Sequence, residues 1–132
     1  MVTVIYFFSA TGNSMHVALT LRRRLGDAIL VPVALALKGD FSPPEASRIG
    51  FVFPLHYQGL PVPVLDFIEK FSFAKPDYAF CVVTRGTPPT GGAIAQLRKA
   101  LGKRGIELDA GYYLDMPGSD ITSFFDTPAQ EG

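Results

Sequence analysis

Residues 6–16 read YFFSATGNSMH and join an apolar run to a helical pattern. The apolar run, residues 2–8, ends abruptly in short polar side chains and one glycine, Gly12. A helical pattern with a valine and leucines four apart follows over residues 13–25. At such a junction the first N–H groups of the helix lack partners and carry partial positive charge. The stretch therefore predicts an anion-binding turn between a buried strand and a helix.

The residues of this turn favour a phosphate held by neutral donors. Hydroxyl and amide groups supply hydrogen bonds, Gly12 lets the backbone approach closely, and no lysine is present. The turn is therefore not a Walker A loop, and nothing in it suits phosphoryl transfer. An ordinary helix N-cap is the other interpretation, but it needs one short polar side chain, and residues 9–14 contain four. The predicted phosphate-binding residues are Ser9, Ala10, Thr11, Gly12, Asn13 and Ser14.

Composition and charge predict one intracellular globular domain. The chain has 132 residues, 48% of them hydrophobic, and its 12 basic and 12 acidic residues cancel. This balance gives no support for a nucleic-acid or membrane partner. The one cysteine, Cys81, excludes an internal disulfide and is expected to be a small core residue. With no signal-peptide pattern and no membrane-spanning run, a cytoplasmic location is expected.

The chain alternates between apolar runs and helical patterns. The runs predict strands at 2–8, 28–33, 48–53, 78–84 and 107–114, and the patterns predict helices at 13–25, 61–71 and 91–104. The segment 34–47 is expected to cross over with one helical turn. This alternation indicates βαβ units and a parallel sheet. The first, third and fourth runs are nearly continuous, as in strands covered on both faces, and the mixed fifth run suits an edge.

Two further loops follow predicted strands and are expected at the same edge of the sheet as the first turn. In the loop after the third run Tyr57 offers an aromatic face for a planar ligand, although a partly exposed hydrophobic turn would look similar. In the loop after the fourth run Arg85 could meet a polar ligand edge or be a plain surface arginine. The predicted site residues in these loops are Pro54, Leu55, His56, Tyr57, Gly59, Thr84, Arg85 and Gly86.

The end of the chain reads as the start of a helix. Thr127 occupies an N-cap position, with proline next and glutamine three residues after the cap, and the chain stops at Gly132. We expect residues 1–132 to form a single domain that lacks its last helix and is the C-terminally truncated part of a longer chain. A frayed tail is the alternative. A missing helix would expose apolar sheet surface and favour a homodimer.

The three predicted site loops together resemble the FMN site of the flavodoxin superfamily. The motif S/T-x-T-G-N-S/T matches residues 9–14, and 53–59 and 84–87 look like the second and third loops of the family. The nearest resemblance is to the flavodoxin unit of fused flavodoxin–ferredoxin proteins, whose Y-F-S-x-T-G-N-S, F-P-x-Y-x-x-G-L-P and M-P stretches look like residues 6–14, 53–61 and 116–117. The resemblance implies an α/β fold, a doubly wound parallel five-stranded sheet of order 2-1-3-4-5, and a non-covalent FMN electron-transfer module.

The resemblance also implies roles and partners. Tyr57 stacked on the flavin should disfavour its reduction, and Arg85 beside the flavin should favour the reduced anionic form. The third loop departs from the family because it lacks acidic residues and a second aromatic ring. Cluster-ligating cysteines are absent, so the redox partner would be a separate protein or an iron–sulfur domain beyond Gly132.

Two other functions remain open from the sequence. One is a non-redox module of the same fold that binds a phosphorylated ligand or a partner, and the other is an FMN-dependent quinone-type reductase. The chain shows no nucleophile, general acid–base pair or metal site, so an electron carrier or redox domain is favoured over a complete enzyme. His16 is expected on the helix surface.

Overall fold

The computed structural model describes residues 2–8, 13–38, 45–54, 59–71, 73, 75–85 and 92–115. These residues form a five-stranded parallel sheet of order β2-β1-β3-β4-β5, which confirms the predicted order. The strands are β1 (Thr3–Phe7), β2 (Ala28–Pro32), β3 (Arg48–Pro54), β4 (Tyr78–Arg85) and β5 (Ala110–Asp115).

Helices cover both faces of the sheet, as a doubly wound fold requires. They are α1 (Asn13–Leu25), α2 (Val33–Ala36), α3 (Val62–Lys70) and α4 (Ala93–Gly102). One core cluster joins α1 to one face through Val17 and Leu21. The other cluster joins α3 and α4 to the opposite face through Phe67 and Leu97. The predicted single turn between the second and third strands is α2, and it begins one residue earlier than expected, at Val33.

Burial along the strands explains the apolar runs. Every residue of β1 is buried, as are the five central residues of β3. In β2, at one edge of the sheet, only Val31 is buried. The three nearly continuous runs are therefore the three central strands, and β5 lies at the other edge, as its mixed sequence indicated.

The prediction for the start of the fifth strand was wrong by three residues. Ile106 and Leu108 are buried, but the strand begins only at Ala110. Asp109 explains the boundary, since its backbone N–H donates to the Ala79 carbonyl oxygen at 2.8 Å. Its carboxylate Oδ2 accepts from the Ala79 N–H, also at 2.8 Å. These bonds fasten β5 to β4 at the point where pairing starts.

Glycine lets α4 approach the sheet at β5. A Cβ at Gly111 would lie 2.8 Å from Ile94 Cγ2 and 3.2 Å from Cys81 Sγ, too close for a side chain unless Ile94 is displaced. Cys81 is fully buried beneath this contact, as predicted for a core cysteine. Burial raises the pKa of its thiol from 9.0 to about 12.

The buried thiol predicts a loss of stability in alkali. The unfolded chain releases the Cys81 proton above about its ordinary pKa of 9.0, whereas the folded protein retains it up to about 12. The free energy of unfolding should therefore fall by roughly 1 kcal/mol between about pH 9 and pH 10 through this group. Denaturant unfolding at both pH values measures the fall, and Cys81→Ala should remove most of it. An equal fall in Cys81→Ala would assign the effect to other groups.

Two expectations concern parts of the chain that are not described. The absent last helix, and the homodimer it would favour, rest on residues 116–132, which lie outside the described residues.

None of the helices in the described ranges has the length and apolar character needed to cross a membrane.

Candidate functional site

The carboxyl ends of β1, β3 and β4 lie side by side at one edge of the sheet. This edge runs across the ends of the strands and is not formed by the outer strands β2 and β5. Phe7 is in register with Val52, and Pro54 is in register with Thr84. Just past β1, the Phe8 N–H donates to the Val52 carbonyl oxygen at 2.9 Å. The three predicted site loops therefore leave the sheet from neighbouring points. Strand order reverses between β1 and β3, which is where open α/β sheets form a ligand crevice.

Ser14 and Thr84 meet at this edge. Ser14 lies in the first turn of α1, and Thr84 is the second-to-last residue of β4. Their hydroxyl oxygens are 3.4 Å apart, and both side chains are buried, with exposed fractions of 1% and 3%. The two residues are 70 positions apart in the sequence. The fold thus joins the first predicted loop to the third through a buried pair of hydroxyl groups.

The charge distribution of α1 favours an anion at this edge. The first turn of the helix contains no acidic residue, and three arginines, Arg22, Arg23 and Arg24, stand in its last turn. The positive end of the helix dipole therefore faces the site without a competing carboxylate in that turn. The arginines lie at the far end of the helix and do not form part of the site. His16 is exposed on the helix, as expected.

A side chain of α4 holds the chain at the end of the second loop. The Leu60 N–H donates to Gln96 Oε1 at 2.8 Å, and a Cβ at Gly59 would lie 2.8 Å from the same oxygen. Gly59 therefore allows the amide of Gln96 to reach the backbone. Gln96 was not predicted from the sequence, because it stands out only as a polar position in a predicted helix, 36 residues from Leu60. No local signal in the sequence identifies this contact.

The remaining predicted site residues divide into two groups. Pro54 is half-buried at the end of β3, Asn13 begins α1, and Arg85 ends β4. The others lie outside the described residues: Ser9, Ala10, Thr11, Gly12, Leu55, His56, Tyr57 and Gly86.

Several solved structures are similar to this chain. A candidate flavoprotein from Bacteroides uniformis is 18% identical, with a TM-score of 0.69 over 96% of this chain and 98% of its own. A flavodoxin from Streptococcus pneumoniae is 18% identical, with a TM-score of 0.63 over 92% and 89%. A flavoprotein from Lactobacillus acidophilus, solved in complex with FMN, is 14% identical, with a TM-score of 0.62 over 86% and 93%.

No protein-family model matches the chain, and no curated protein does. The structural similarity, at these identities, establishes the fold. The sheet of order 2-1-3-4-5 and its flanking helices define a doubly wound α/β protein, the class in which ligands bind at the carboxyl ends of the strands. The chain has a flavodoxin-like fold, as the resemblance in its sequence implied. A relation to fused flavodoxin–ferredoxin proteins stays a prediction.

Proposed function

We propose that the protein binds FMN without covalent attachment and serves as an electron-transfer module. The observation that supports this most is the meeting of Ser14 and Thr84, at 3.4 Å, at the edge where the three predicted loops leave the sheet. The similar fold of a flavoprotein solved in complex with FMN adds support. Bound FMN would supply the one- and two-electron chemistry, and the protein would bind, orient and tune it.

The described residues fit a phosphate at this edge. Two hydroxyl groups carry two protons, and a hydrogen bond between Ser14 and Thr84 uses only one of them. The other proton is available to an acceptor, and the unpaired N–H groups of the first turn of α1 are further donors. We propose that the phosphate is held by residues 9–14 and that the flavin ring lies between the loops after β3 and β4.

Each of the other loops has a proposed task. Tyr57 would stack on the flavin ring and hold it in place. Arg85 and the residues on either side of it, Thr84 and Gly86, would meet the polar edge of the ring. Pro54, Leu55, His56 and Gly59 would shape the backbone of the second loop. The electron partner would be a separate redox protein or an iron–sulfur domain encoded beyond Gly132.

The visible absorption spectrum of the purified protein tests this function. The spectrum is recorded before and after addition of FMN, with the excess removed by gel filtration. Flavin absorption that stays with the protein is the expected result. A colourless protein that takes up no FMN would contradict the proposal and would favour a non-redox module with the same fold.

The Arg85→Glu variant should shift the flavin potential. Replacing a cation by an anion near the ring disfavours the reduced anionic form, so the potential of the second one-electron step should fall by some tens of millivolts. A spectroelectrochemical titration of wild type and variant measures the difference. Arg22→Glu is the matched control, because it makes the same charge change in the exposed last turn of α1. Equal potentials in Arg85→Glu and wild type would contradict this placement.

The Gln96→Met variant should weaken FMN binding. The change removes the acceptor of the Leu60 N–H, and a loop end that is no longer fixed costs about 1 kcal/mol, or roughly fivefold in affinity. Gln96→Glu keeps an oxygen at the same place and should bind FMN almost as wild type does. Fluorescence titration compares the three proteins. If Gln96→Met also retains wild-type affinity, the contact does not support the site.

A further inference from the structure

A cleft lies between α3 and α4, on the face of the sheet opposite α1. Its volume is about 460 Å³. Leu65 on α3 and Ala100 on α4, both half-buried, supply its apolar part. Exposed charged side chains on the same two helices and in the turn after α4 surround this part. Apart from Gln96, whose Oε1 accepts from the Leu60 N–H, no residue that lines this cleft has a part in the proposed FMN site.

The cleft has an excess of positive charge. Lys99, Lys103 and Arg104 line it, against one acidic residue, Glu69. Because the chain as a whole has no net charge, this excess is local. Arg104 is fixed in place, since its Nη1 and Nη2 donate to the carbonyl oxygens of Glu69 and Phe71 at 3.2 and 2.8 Å. Two of its five N–H groups are used in this way, and the others remain for an incoming carboxylate.

The shape of the cleft favours a protein occupant over a small molecule. Pockets for small ligands bury most of the surface of the ligand. Here the lining residues are exposed or half-buried, so a small molecule would remain largely in water. A partly apolar cleft with a charged border has the composition of a protein–protein contact.

We propose that this cleft docks an acidic segment of a partner protein. The segment would place carboxylates against Lys99, Lys103 and Arg104 and an apolar side chain against Leu65 and Ala100. Gln96, which lines the cleft and holds the Leu60 N–H, brings the docking surface next to the end of the loop after β3. The proposal does not depend on FMN, because it rests on the charge and shape of the cleft.

The test uses two fluorescein-labelled peptides of twelve residues. One contains Asp, Glu and Leu, and in the other every carboxylate is replaced by its amide. Fluorescence anisotropy measures binding to wild type, to K99E/K103E and to the matched control R22E/R23E. All four substituted positions are exposed, and both variants make the same change in net charge. Thermal melts verify that both variants fold.

Wild type and R22E/R23E should bind the acidic peptide saturably and alike, and more weakly at high salt. K99E/K103E should bind it at least roughly tenfold more weakly, because two attractions become repulsions. Amide resonances of α3 and α4 should shift in the NMR spectrum when the peptide is added. No saturable binding, equal binding of the amide peptide, or equal loss in both double variants would each overturn the proposal.

Discussion

Ser14→Ala is expected to weaken FMN binding by roughly tenfold to a hundredfold, the range that corresponds to one hydrogen bond to a charged group. Ser14 is 1% exposed in the first turn of α1, and its hydroxyl lies 3.4 Å from that of Thr84. Removing it takes away a donor to the proposed phosphate and leaves the Thr84 hydroxyl without this partner. Titration of FMN fluorescence against each protein measures the affinity.

Thr84→Val is the companion variant. It keeps the volume of the side chain and the Ser14 hydroxyl, and it removes the Thr84 hydroxyl, which lies 3.4 Å from that of Ser14. A smaller loss of FMN affinity, about threefold to tenfold, is expected. Circular dichroism melts establish that both variants are folded at the temperature of the titration. Wild-type affinity in Ser14→Ala would show that this hydroxyl does not contact the ligand.

Phe67→Ala should lower the free energy of unfolding by about 3–5 kcal/mol. Phe67 is fully buried on α3, and its ring centroid lies 4.9 Å from those of Tyr6 and Phe71 and 5.3 Å from that of Phe73. Truncation would therefore leave a cavity at the centre of an aromatic cluster. Denaturant unfolding followed by circular dichroism measures the loss.

The same helix offers a control for this prediction. Val62 is 66% exposed at the start of α3, and Val62→Ala should change the free energy of unfolding by less than about 0.5 kcal/mol. A loss below about 1 kcal/mol in Phe67→Ala would mean that the surrounding rings refill the space or that the packing differs from this structure.

The elements of the fold could be predicted because each depends on local sequence patterns. Three nearly continuous runs became the three central strands, and the mixed fifth run became an edge. The order of the strands came from the resemblance carried by residues 9–14. Boundaries were less predictable, since the start of β5 depends on the bonds between Asp109 and Ala79 on another strand.

Packing and the site were predicted in part. The pattern predicted a helix at 61–71 but not the depth of its aromatic side chains, since Phe67 is fully buried whereas Phe71 is half-buried. The carboxyl ends of β1, β3 and β4 lie together as predicted, because parallel strands end on the same side of a sheet. The contacts of the loop residues with a ligand stay predictions. The contact from Gln96 to Leu60 has no local signature, because it joins a helix to a loop end 36 residues away. Contacts of this kind depend on how the helices are placed on the sheet.

The most direct measurement compares the affinities of FMN and riboflavin for the protein by isothermal titration calorimetry. The two ligands share the flavin ring and differ in the phosphate that the turn at residues 9–14 is proposed to hold. FMN should bind at least roughly a hundredfold more tightly, because charge-assisted hydrogen bonds to the phosphate add several kcal/mol. Equal affinities, or no binding of FMN, would contradict a phosphate site at this edge of the sheet.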